Sequence, residues 1–106
     1  MISSETIDSI TSALVEAAKP TKVILFGSYA RGDAREDSDL DLLIVEPKLT
    51  SKRGEMVRLR RLLRRFRVPV ELIVVSQAEF NDWSPLTGTA LYWANKEGKL
   101  LHEASR

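Results

Sequence analysis

Cysteine is absent from this sequence, and histidine occurs once, as His102. Without thiols there is no disulfide framework, no thiolate zinc centre and no cysteine nucleophile. A Ser-His-Asp hydrolase would have to use His102, and no nucleophile-elbow pattern is present to partner it. A histidine so near the C-terminus reads as a surface residue instead. Long apolar runs are missing too. Stretches such as Leu72 to Val75 fall far short of the ~20 residues that a membrane-spanning helix needs. Met1-Ile2-Ser3-Ser4-Glu5 has neither the basic nor the apolar part of a signal peptide, so the expected compartment is the cytoplasm, with no membrane partner.

The 106 residues are 43% apolar and 29% charged, a balance that suits one globular domain over residues 1–106 and argues against disorder. Net charge is only +1, yet it is unevenly spread. Between Lys52 and Arg67 lie eight basic residues and one acid, Glu55, while the remainder is correspondingly acidic. A solvated helix face explains part of this. The excess points to an anionic partner, whether an acidic protein surface, an incoming triphosphate or RNA. RNA is disfavoured because Phe66 is the segment's only aromatic and falls on the apolar stripe.

Periodicity divides the chain into alternating elements. Ile7, Ile10 and Leu14 recur at helical spacing across Ser4 to Lys19, and Pro20 predicts a stop. Lys22 to Phe26 and Leu40 to Val45 read as buried strands, separated by a short helix over Tyr29 to Gly32 and a polar loop. Met56, Leu59, Leu62, Leu63 and Phe66 form the apolar stripe of a helix over Ser51 to Phe66. Val68 to Val75 predicts a third strand with Pro69 near its start, and Ser76-Gln77-Ala78-Glu79 matches a capping box. Asn81 to Thr89 is ambiguous. Leu91 to Glu97 predicts a helix ended by Gly98, and Lys99 to His102 an edge strand. Trp83 and Trp93 are expected in the core or at an interface. The fold class is α/β (α+β), with helices packed on a small mixed sheet.

Chemistry concentrates between Leu25 and Ile44. Gly27-Ser28 at a strand-to-helix turn offers close backbone approach, amides and a hydroxyl to a phosphate. Asp39 and Asp41 repeat at strand spacing, so both carboxylates point to one face. A divalent cation is the natural third party to such a pair, and magnesium commonly bridges carboxylate to substrate phosphate. The alternative is a solvated strand entrance. Glu71 interrupts an otherwise apolar strand, where a buried unpaired charge would cost about 3–5 kcal/mol. It is either a third carboxylate of the site or a surface partner of Arg65 or Arg67. Arg31 either reaches a phosphate or braces Asp33 or Glu36.

Gly27-Ser28, ten intervening residues and Asp39-Leu40-Asp41 resemble the signature of the DNA polymerase beta nucleotidyltransferase superfamily. Gly-Ser-Tyr-Ala-Arg-Gly and Ser-Asp-Leu-Asp-Leu-Leu resemble its minimal nucleotidyltransferase (MNT) branch. The resemblance implies that Asp39, Asp41 and Glu71 bind two magnesium ions, with manganese as a substitute, and that Gly27 and Ser28 hold a nucleoside triphosphate, ATP in the first instance; Arg31, one turn beyond the glycine, is a further nucleotide-binding candidate by its position. Glu71 departs from the aspartate more usual in this branch. The implied reaction transfers a nucleoside monophosphate to a hydroxyl. Relatives are commonly paired with a helical HEPN toxin, which some modify on tyrosine, so an antitoxin role within a homo- or hetero-oligomer is implied. The competing readings are a non-catalytic module that neutralises its partner by occlusion, and an RNA-binding regulator.

Overall fold

The computed structural model describes residues 1–104. In chain order the elements are α1 (Ser4–Ala18), β1 (Lys22–Phe26), α2 (Ser28–Arg31), β2 (Leu40–Glu46), α3 (Lys52–Leu63), β3 (Val70–Ser76), α4 (Gln77–Trp83), α5 (Ala90–Glu97) and β4 (Lys99–Glu103). Boundaries follow local chemistry. The Ser3 hydroxyl accepts from the Thr6 amide at 3.1 Å, and Ser76 does the same for Glu79 at 3.1 Å, satisfying amides that a first helical turn leaves unpaired.

Three boundaries differ from the sequence expectation. The basic helix gives way after Leu63 to a 3-10 turn over Arg64–Phe66, closed by Arg67 in the left-handed region at φ 55. The third strand begins at Val70, because Pro69 has no amide to give to a ladder; its carbonyl accepts from Leu40 at 2.9 Å instead. The ambiguous stretch divides: α4 runs to Trp83, and the Thr89 hydroxyl caps α5 by accepting from Tyr92 at 3.1 Å.

The sheet is four-stranded and mixed, in the order β3-β2-β1-β4. β2 pairs antiparallel with β1 and parallel with β3, and β4 closes the far edge antiparallel to β1. Because side chains alternate along a strand, β2 serves two cores. Leu40, Leu42 and Ile44 pack with Ile10 and Leu14 of α1 and Leu59 and Leu63 of α3. Leu43 and Val45 pack with Phe80 of α4 and Leu91 and Ala94 of α5. Asp41 belongs to the second set by parity, so it faces the α4–α5 layer. The basic helix packs on the other layer through Leu59 and Leu63, while its first residue, Lys52, reaches across to Glu79 of α4.

Gly98 ends α5 with an ordinary φ of −74, so its role is spatial. A Cβ there would stand 2.9 Å from the Leu25 carbonyl oxygen and overlap Ile24 as well. The glycine lets the chain turn from α5 into β4 directly against β1.

One buried acid stands out in the frame. Glu46, at the end of β2, is 6% exposed, and its Oε2 has no hydrogen-bond partner. Burial first, and then the neighbouring Glu55 carboxylate, pushes its pKa up to about 8. Glu55 is held ionised, with its pKa lowered chiefly by hydrogen bonding to Arg58, whose guanidinium donates at 2.8 and 2.7 Å. The folded protein therefore binds a proton that the unfolded chain releases near its ordinary value of 4.5. That contribution to stability is whole below the ordinary value, declines as pH rises and is lost once pH passes about 8. Glu46→Gln is expected to flatten this decline and to exceed the parent's stability at alkaline pH by roughly 2–4 kcal/mol. Urea unfolding at acidic and alkaline pH measures both.

Candidate active site

The site grows from strand register. Asp41 pairs with Phe26 of β1 on one side and Glu71 of β3 on the other, so a carboxylate on the central strand lies beside one on its parallel neighbour. Asp39 precedes β2 by one residue and shares Asp41's side by alternation. Asp41 is half-buried, whereas Asp39 and Glu71 are exposed. Burial raises the Asp41 pKa most, the Asp39 and Glu71 charges raise it further, and Arg31 opposes them. Three acids thus share one field of mutual repulsion.

After Phe26 the chain turns through Gly27 at φ 74 and ψ −154, a conformation essentially restricted to glycine. The turn runs directly over the acid: a Cβ at Gly27 would overlap the Asp41 carboxylate and stand 3.0 Å from its Cγ. Glycine is therefore needed twice, for its backbone angles and for the space beside Asp41. The turn leads into α2, whose last residue, Arg31, is half-exposed and lies 3.4 Å from the Asp33 carboxylate. Arg31 accordingly braces the loop, one of the two roles read from sequence, while lending positive charge to Asp41.

Among the described residues, no three acids or histidines form a ready-made metal cage. The donor set does fit a hard dication that takes its remaining ligands elsewhere. Asp39 and Asp41 are oxygen donors in a field that a cation would relieve, and magnesium is usually held by one or two carboxylates together with substrate phosphate oxygens.

Several sequence expectations change. Glu71 is not a buried charge, because β3 is an edge strand and the residue is exposed; neither Arg65 nor Arg67 pairs with it among the described residues. Of the two places expected for Trp83 and Trp93, core or interface, the core is removed, since each is 50% exposed. His102 is half-buried on β4 rather than freely exposed. Of the basic segment, Lys52 pairs with Glu79 at 2.8 Å and Arg58 with Glu55 at 2.7 Å. The feature that sequence reading missed is a hollow beside Gly27, between the turn and α5, with Trp93 and Glu97 at its wall. Its signal was present: Leu91 and Ala94 mark the buried face of α5, and Trp93 falls off that face.

Comparison with known proteins agrees with this architecture. Residues 7–93 match the nucleotidyltransferase domain family. A candidate protein adenylyltransferase of Methanocaldococcus jannaschii is 42% identical over 66 residues, covering 59% of this chain and 64% of the relative; the matched region is thus less than two thirds of that protein. A solved structure described as a candidate minimal nucleotidyltransferase superposes with a TM-score of 0.62 at 28% identity, covering 90% of this chain and 92% of that one. A toxin–antitoxin structure with AMP-PNP superposes with a TM-score of 0.66 at 17% identity, covering 92% of this chain and 73% of that one, a likeness of fold. With the matched segment containing β1, the Gly27 turn, β2 and β3, this chain belongs to the nucleotidyltransferase domain family, as a domain of the minimal type.

Proposed function

We propose that this protein transfers a nucleoside monophosphate, AMP from ATP, to a hydroxyl on a partner protein in the cytoplasm, with Asp39, Asp41 and Glu71 as catalytic carboxylates. The observation that carries this is the juxtaposition of the Gly27 turn, Asp41 and Glu71 across adjacent strands. Gly27 and Ser28 are half-buried, and with no Cβ on Gly27 a phosphate chain would reach the backbone of the turn beside the Asp41 carboxylate. Asp39 and Asp41 would hold one magnesium ion against that chain, and Glu71 would complete a second ion's site. Magnesium, when bound, neutralises charge on the phosphates and the leaving group. Arg31 would add a donor to a phosphate oxygen once it leaves Asp33. The acceptor oxygen bonds to the α-phosphorus, the bond to the bridging oxygen breaks, pyrophosphate departs, and the hydroxyl proton passes to Glu71 or to water. Glu71 suits that task because it is exposed at the sheet edge, where a protein hydroxyl can approach.

The acceptor we favour is a tyrosine of a HEPN-type toxin, which would make this protein an antitoxin. Support comes from the toxin–antitoxin neighbour and from a relative named for protein adenylylation. Incubation of the full chain with magnesium, α-labelled ATP and such a partner is expected to leave label on the partner after denaturation. Absence of label with all four nucleotides would remove the catalytic reading. Trp83 and Leu86, each 50% exposed, suit a second reading, neutralisation by occlusion, in which the partner is inhibited equally with and without nucleotide.

A further inference from the structure

The hollow beside Gly27 is the part of the molecule that transfer chemistry leaves without a role. Its volume is about 270 Å3, and its lining includes Phe26, Gly27, Arg31, Trp93, Ala94 and Glu97. That is just under the ~300–1,000 Å3 of a typical small-molecule site, enough for one ring system rather than a whole nucleotide. Gly27 and Arg31 belong both to the hollow and to the phosphate turn, so a ligand whose phosphates lie on the turn has its next group directed here. A second hollow, between α4 and α5, contains neither residue.

Trp93 has no packing reason to stand where it does. It is 50% exposed, whereas large aromatics are usually well buried. Its ring meets that of Tyr92 edge-on at 90°, with ring centroids 5.2 Å apart, and the Tyr92 hydroxyl accepts from Lys96 at 3.1 Å. A half-exposed indole at the wall of a small hollow offers a stacking surface. Ala94, the next residue, leaves room at the wall. Glu97 brings an acceptor-only carboxylate, which matches a base carrying an amino group and opposes one that presents only carbonyl oxygens there.

We propose that this hollow seats the base of the nucleotide, with Trp93 as its stacking surface and Glu97 as the acceptor for its amino group. The proposal rests on the nucleotidyl-transfer reading above. Stacking accepts any base, so Trp93 supplies affinity and Glu97 preference.

The test compares calorimetric binding of ATP and of inorganic tripolyphosphate to the full chain in magnesium. Trp93→Ala is expected to weaken ATP binding roughly 5- to 100-fold and to leave tripolyphosphate binding unchanged. Trp93→Phe should retain most of the affinity, and Glu97→Ala should narrow any preference for ATP over UTP. If ATP binds more tightly than tripolyphosphate and Trp93→Ala leaves that advantage intact, the base lies elsewhere and the proposal fails while the nucleotide reading stands. If Trp93→Ala weakens both ligands equally, its role is structural and the proposal fails. If neither ligand binds the parent chain, the nucleotide reading fails and takes the proposal with it.

Discussion

Asp41→Asn is expected to lower nucleotidyl transfer by about 1,000-fold or more, and at the same time to raise the melting temperature of the protein free of divalent ions. The two effects have one origin. Asp41 is half-buried beside two other acids, and its pKa is raised first by burial and then by their charges; keeping it ionised opposes folding. An amide of the same shape removes that opposition. It also removes the negative charge that we propose holds the metal, at the position flanked by both the glycine turn and Glu71. Single-turnover transfer reports the first effect and thermal unfolding in a chelator the second. Adding magnesium should stabilise the parent, because a cation that binds only the folded state shifts the unfolding equilibrium, and should stabilise the variant much less. A variant that transfers at the parental rate would show that the chemistry lies outside the carboxylate pair.

Gly27→Ala should damage stability and nucleotide binding together. The backbone there, at φ 74 and ψ −154, costs a residue with a Cβ roughly 1–3 kcal/mol. The added carbon also meets the Asp41 carboxylate, and overpacking of this kind costs about 1–3 kcal/mol more. We expect a loss of roughly 2–4 kcal/mol in denaturant unfolding, accompanied by loss of ATP binding. Gly32→Ala is the milder comparison: at φ 86 and ψ 13 it lies in the ordinary left-handed region, and nothing stands within 4 Å of its added Cβ. Its loss should therefore be clearly smaller, and equal effects at the two glycines would mean that neither the Gly27 backbone nor the crowding of Asp41 carries a special requirement.

Much of this was legible before any coordinates. The alternation of strand and helix signals defined a small mixed sheet, and the Asp39–Asp41 spacing placed two acids on one side of β2. What could not be read was which side. That depends on α3 returning to the face shared by Leu40, Leu42 and Ile44, a tertiary choice that local periodicity does not encode. Glu71 illustrates the same limit. A lone acid in an apolar run signals either a buried functional charge or an open edge, and only strand order distinguishes them; here β3 is an edge. For Trp93 the sequence left core and interface open, and its exposure follows from which face Leu91 and Ala94 claim.

The parallel register that sets Asp41 beside Glu71 also dictates how the gene can change. Residue identity is only half of what that pairing requires; the other half is an odd-or-even count along the chain. Shifting β2 by one position exchanges its two faces and would carry Asp41 into the apolar layer with α1 and α3, where Leu42 now packs. An in-frame codon gained or lost inside β2 would therefore dismantle site and core together, whereas the loop from Gly32 to Ser38, which lies between elements, has no such parity to keep.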